Sequence, residues 1–128
     1  MKVTRDQISA MTVRRVAPGE ILVGRETVRD NVVLTADQVI ERWTAGDVSR
    51  FAAEDFAAII ASRPEIIVLG TGWRPVLPPK ELVFAMARHG IGFESMDTPA
   101  ACRTFNILIN EGRRAAAVLI VNDSPQGA

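Results

Sequence analysis

The alternation of apolar and polar positions divides the chain into a β-rich first third and a second part where short apolar runs alternate with amphipathic segments. Val13 to Val16, the turn Ala17-Pro18-Gly19-Glu20 and the return Ile21 to Val23 predict a hairpin. Gly24 breaks that run, Arg25 to Val28 continues extended, and Val32 to Leu34 follows the polar turn Arg29-Asp30-Asn31. Thr35 to Ala45 reads two ways. Thr35 and Gln38 have capping-box spacing, whereas Val39, Glu41 and Trp43 alternate as in a strand, and the short strand is preferred.

Ala53, Phe56, Ala57, Ile60 and Ala61 then recur at helical spacing until Pro64 stops the helix. Ile66 to Leu69 is apolar throughout, which suits a strand covered on both faces. A helix from about Pro79 to His89 has Leu82, Val83, Met86 and Ala87 as its inner stripe, Glu81 and Arg88 outside, and Gly90 as its stop. Ile91 to Met96 reads as a second inner strand. The last helix buries Ala101, Phe105, Leu108 and Ile109, turns Arg103 and Asn110 outwards, and leads to a strand from Ala115 to Val121. Strand, helix, strand, helix, strand is the grammar of a parallel sheet with crossovers. Residues 1–12 and 122–128 lack any period and are expected to be flexible ends of a single domain spanning 1–128.

Length agrees, since 128 residues leave no room for separate cofactor and substrate domains. Fifteen basic residues balance fifteen acidic ones, so no global field attracts nucleic acid or anionic lipid. A single cysteine, Cys102, cannot form an internal disulfide, which favours a reducing compartment. No apolar run approaches a membrane span and no leader pattern opens the chain, so the expected location is the cytoplasm.

Candidate chemistry gathers where two inner strands end, at Leu69 and Met96, because ligands of open α/β sheets bind at that edge. One loop offers Gly70, Thr71, Gly72, Trp73 and Arg74, the other Asp97, Thr98, Cys102, Arg103 and Asn106. Thr98 is placed to cap the last helix and Pro99 fits its first turn, whose exposed amides suit an anion. Each residue also has a plainer reading. Pro75 stands where a dinucleotide fingerprint needs its third glycine, so the G-T-G element reads as a tight turn first. Arg74 and Arg103 could clamp a carboxylate, or be solvated surface; Asp97 could be a base, or satisfy local amides. Cys102 sits where a thiol pKa can be lowered, but the only histidine, His89, belongs to the far end of the preceding helix. One histidine and one cysteine cannot build a structural zinc site, so no metal and no catalytic residue is assigned. Trp73, with Arg74 and three prolines after it, reads equally as a recognition loop or a lid.

Gly70-Thr71-Gly72, the run D-T-P-A-A-C-R-T-F-N-I-L-I-N-E-G-R from Asp97 to Arg113 and the closing A-A-V-L-I resemble the Mth938-like domain family. The likeness covers roughly Val13 to Val121 and is strongest to the mitochondrial branch, NADH dehydrogenase (complex I) assembly factor 3. It implies a three-layer α/β fold: a central mixed sheet of about five strands, flanking helices and an extra N-terminal β layer. It also implies that Val39 to Trp43 is extended. The family offers no established catalytic residues and no cofactor to carry over. Its mitochondrial members assist complex I assembly as soluble, membrane-associated proteins, and this chain is expected to be a bacterial relative without their targeting extension.

The expected function is therefore a non-enzymatic interaction or assembly module with a protein partner, a respiratory-complex subunit or membrane-insertion machinery. Trp73 and Arg74 are its expected contacts, with at most peripheral association at the inner membrane. The alternative is a small-molecule or anion-binding protein, or an enzyme, using the crevice between the Gly70–Gly72 loop and the Thr98 helix start. Its lining would be Gly70, Thr71, Gly72, Arg74, Asp97, Thr98, Arg103 and Asn106.

Overall fold

The computed structural model describes residues 11–41, 43 and 47–122. Three short strands, β1 (Val13–Ala17), β2 (Glu20–Val23) and β3 (Glu26–Val28), form an antiparallel sheet in chain order. Gly19 turns the first hairpin at φ +85°, a backbone conformation that side chains other than glycine rarely adopt. Ile21, Val23 and Val28 bury one face of this sheet. Met11 is buried with them, and Thr12 O accepts from Gly24 N, so the chain is already tied down before β1.

The larger sheet has five strands in the order β5-β4-β8-β6-β7. β4 (Val32–Leu34) and β5 (Val39–Glu41) are an antiparallel hairpin; β6 (Ile66–Gly70), β7 (Gly92–Met96) and β8 (Ala115–Leu119) run parallel; β4 joins them antiparallel to β8. The sheet is thus mixed, with a second β layer from the N-terminal part. Thr35 and Gln38 make the β4–β5 turn, Thr35 Oγ1 accepting from Gln38 N, so their spacing closes a hairpin and caps no helix. β5 stops at Glu41, and Arg42 and residues 44–46 lie outside the described residues.

Side chains alternate faces along a strand, and β4, β6 and β8 bury both. Val32, Leu34, Ile66, Val68, Ala115, Ala117 and Leu119 point to one core, Val33, Ile67, Leu69, Ala116 and Val118 to the other. The first core is closed by the small sheet and by helix α3 (Thr98–Asn110), which contributes Ala101, Cys102, Phe105, Leu108 and Ile109. The second is closed by 3₁₀ turns at Val48–Arg50 and Ala53–Phe56, by α1 (Ala57–Ala61) and by α2 (Lys80–Arg88). There Trp43, Phe51, Phe56 and Phe93 meet edge to face, with ring centroids 5.4–6.2 Å apart.

Three expectations are corrected. β7 is an edge strand with Gly92 and Glu94 exposed, and the second inner strand is β8, whose alanines let α3 pack closely. The helix after residue 52 begins as a 3₁₀ turn and buries Phe56 and Ile59, leaving Ala57 and Ala61 outside. On α2 the inner stripe is Leu82, Ala85 and Met86, while Val83 and Ala87 face solvent. On both helices an apolar period fits two faces a residue apart, and only packing selects between them; the place of β7 at the edge is set by the strand order.

Candidate functional site

Gly70 and Met96 are partners in the parallel register of β6 and β7, so the loop after β6 and the start of α3 lie at one edge of the sheet. The two are joined directly. Thr98 N donates to Gly72 O (2.7 Å), Gly72 N donates to Thr98 Oγ1 (2.8 Å), and Thr98 Oγ1 donates to Ile120 O (2.8 Å). Thr98 is fully buried, and the one hydroxyl fastens the helix start to the β6 loop and to the residue after β8.

Asp97, and not Thr98, caps α3: its Oδ1 accepts from Ala100 N at 2.8 Å, and its carbonyl accepts from Ala101 N. Pro99 has no N–H, so every amide of the first turn is accounted for within the chain. The free amides expected there for an anion are occupied by Gly72 and Asp97. Asp97 takes the cap because the chain is still extended at that residue (ψ 160°) and helical from the next.

Close approach also explains the glycines. A Cβ on Gly70 would stand 3.0 Å from the Cα and Oγ1 of Thr98 and from Leu119, and Gly72 has φ +100°. Thr71 is buried as well; its N donates to Met96 O (2.8 Å), and its Oγ1 donates to Arg74 O (2.8 Å) while accepting from Val76 N (3.2 Å). Thr98→Val keeps the shape but strands Gly72 N–H and Ile120 O, which costs about 2–4 kcal/mol. We expect that loss in chemical denaturation, with Thr98→Ser retaining most of the stability; an unchanged midpoint in the valine variant would remove Thr98 as the joint.

The structure thus brings Gly70, Thr71, Gly72, Asp97 and Thr98 together as a bonded junction. Arg74 and Arg103 are exposed. Asn106 lies about 12 Å further along α3, where its amide grips β1: Val13 N donates to Oδ1 and Nδ2 donates to Val13 O, both at 2.9 Å. That pair ties the small sheet to the helix. Trp73 is half-buried, and its Nε1 is shielded without a hydrogen-bond partner among the described residues. The segment after it carries Leu77, which is 85% exposed.

Cys102 is buried among the residues of the first core, and that desolvation pushes its thiol up to about 12, against a small opposing pull from Arg103. Burial thus works against the lowered thiol pKa that its place in the first turns of the helix would otherwise favour. Among the described residues no three His, Cys, Asp or Glu side chains group to hold a metal. At the opposite edge a groove of about 540 Å³ is lined by Ile60, Arg63, Glu65, His89 and Arg114 among others. Glu65 there accepts from Arg114 N, which holds its carboxyl below the usual range, and it also pairs with Arg113. The sequence reading missed the outward apolar residues Leu77, Val83 and Phe84. For Val83 and Phe84 the signal was present in the i, i+3, i+4 spacing from Lys80, masked by the competing stripe through Leu82.

Fold and edge together define a three-layer α/β domain whose strand-end loop and helix start are locked by the chain's own hydrogen bonds beside an exposed proline-bearing segment. The chain belongs to the family described as Protein of unknown function (DUF498/DUF598), which matches residues 13–120. It is 39% identical over 85 residues to NADH dehydrogenase (ubiquinone) 1 alpha subcomplex assembly factor 3 of Bos taurus, covering 65% of this chain and 46% of that protein. To the 13 kDa major membrane protein of Francisella tularensis it is 34% identical over 90 residues, 70% of this chain and 73% of the relative. The solution structure of a Bordetella pertussis protein, a Mth938-like domain, superposes with a TM-score of 0.75 at 26% identity, covering 92% of this chain and 90% of that one. The family likeness read from the sequence and the mixed five-stranded fold it implied are thereby established. Against the assembly factor, the chain spans about half of the relative's length.

Proposed function

We propose that this protein acts by binding another protein during assembly of a respiratory complex, with a complex I subunit or its membrane-insertion machinery as the partner. The observation that carries this is the likeness to a protein named as a complex I assembly factor. Geometry supports it in two ways. The first-turn amides of α3 are already bonded, which removes the obvious anion cradle, and the segment after β6 presents Arg74 and Leu77 to solvent next to a half-buried Trp73. Proline at residues 75, 78 and 79 restricts that segment, which lowers the ordering cost of docking it. Trp73 supplies aromatic area beside that segment, while its shielded N–H has no acceptor among the described residues.

The protein works in the cytoplasm, at most peripherally at the inner membrane. No helix among the described residues is long and apolar enough to cross a membrane, and a relative is named as a membrane protein. The second reading is a small anion between the Gly70–Gly72 loop and the Thr98 start, two segments that now bond each other. Thr71, Arg74, Thr98 and Arg103 would line it only after the loop had released Thr98.

Deleting the gene in its native host is expected to lower assembled complex I, and Trp73→Ala to reproduce part of that loss while the purified variant still melts cooperatively. Normal complex I in the deletion strain, or turnover of a defined metabolite by the purified protein, would replace this reading with the enzyme alternative.

A further inference from the structure

Helix α2 packs through Leu82, Ala85 and Met86, and its opposite side is not polar. Lys80, Val83, Phe84, Ala87 and Arg88 stand at i, i+3, i+4, i+7 and i+8, and all five are exposed. Spacing of that kind places them on one stripe. Phe84 is 57% and Val83 40% exposed, and Leu77, three residues before the helix, is 85% exposed. The stripe is an apolar centre with a cation at each end, the two cations about 12 Å apart along the axis. Glu81 is the one acid on the helix.

We propose that this outer face of α2 is the docking surface for a partner segment that is apolar in its middle and acidic at both ends; this rests on the protein-binding reading above. Charge chooses the occupant. A second copy of the chain, docked face to face about a two-fold axis, would set Lys80 against the other copy's Arg88, like charge on like. An anionic membrane is held by clusters of about four to eight basic residues, more than this face carries. A helix or extended segment with acids about eight residues apart meets both cations and covers Val83 and Phe84 between them. Exposed phenylalanine beside arginine is the composition of an interface centre and is unusual for solvated surface.

The test places a photoreactive amino acid at position 84 in the native host, with position 107 as control, since Ile107 is equally exposed (59%) on α3. The expected product is one protein adduct specific to position 84, whose crosslinked peptide carries Asp or Glu on both sides of apolar residues. The double variant Lys80→Glu/Arg88→Glu should lower its yield about tenfold or more. No excess over position 107, an adduct with lipid, with a second copy or with a basic segment, or an unchanged yield in the double variant, would each overturn the proposal. Complementation separates it from the assembly reading. If deletion lowers complex I and a folded Phe84→Glu variant restores it fully, the surface is wrong; if deletion changes nothing, the assembly reading falls and the crosslink alone decides the surface.

Discussion

Val68→Asp is expected to leave no folded protein at neutral pH. Val68 is fully buried at the middle of β6, with Glu94 of β7 and Ala117 of β8 as its register partners, and its side chain points to the core beneath α3. That core contains Ala101, Cys102, Phe105 and Leu119, and none of its members carries a charge. A carboxylate there must remain charged without a partner or take up a proton, and either route costs several kcal/mol. Native domains hold only about 5–15 kcal/mol in reserve. Val68→Ala provides the control, since it removes volume without charge and should melt cooperatively with a loss of about 1–3 kcal/mol. Circular dichroism and a thermal melt read both. A soluble Val68→Asp protein with a cooperative transition would show that β6 does not occupy the sheet's interior.

The second large effect is alkaline destabilisation through one thiol. Burial raises Cys102 from about 9 in the unfolded chain to about 12 in the folded one. Above pH 9 the unfolded chain releases this proton and the folded protein keeps it, so the unfolded state binds fewer protons and stability falls as pH rises. The contribution is complete below pH 9 and is lost progressively towards pH 12. Three pH units correspond to about 4 kcal/mol, and a comparison of pH 8 with pH 11 should recover about 3 of it. The chain makes this measurement clean, because it has no tyrosine and only two lysines, Lys2 and Lys80, to titrate in the same window. Chemical denaturation of Cys102→Ala should show a lower stability at pH 8 but little of the further fall. An equal fall in wild type and variant would assign the alkaline transition to other groups. The same burial predicts slow alkylation of the native thiol at pH 8, at the rate of global or local opening.

Much of this protein was determined locally and was therefore legible in its sequence. The apolar run from Ile66 to Leu69 reads as a doubly covered strand because no polar residue interrupts it, and β6 is buried at every position. The stripe Ala101, Phe105, Leu108 and Ile109 fixes the inner face of α3, since no second apolar stripe competes with it. Pro18-Gly19 closes the first hairpin and Gly90 ends α2 at φ +71° because both are settled by backbone sterics within a few residues. Even the edge where the loops meet followed from parallel strands of similar length.

The state of that edge did not follow. Whether Gly70-Thr71-Gly72 and Asp97-Thr98-Pro99 frame a crevice or seal one depends on the approach of two segments 26 residues apart, to within a few tenths of an ångström at the Cα of Thr98. Sequence spacing carries no such distance; it is set by how small the alanines of β8 and Ala101 are and how closely α3 settles on them. For the same reason Asn106 could be placed on α3 but its hold on Val13 could not, because its partner lies 93 residues away. The outward face of α2 was decided in the same manner: two apolar stripes were written into one helix, and the aromatic and aliphatic core beneath it selected Leu82 and Met86, leaving Val83 and Phe84 in solvent. Local pattern sets which elements form, through torsional and steric preferences that act within a turn. Packing sets which of their faces meet, because burial is a property of pairs of elements and is settled only when they close upon each other.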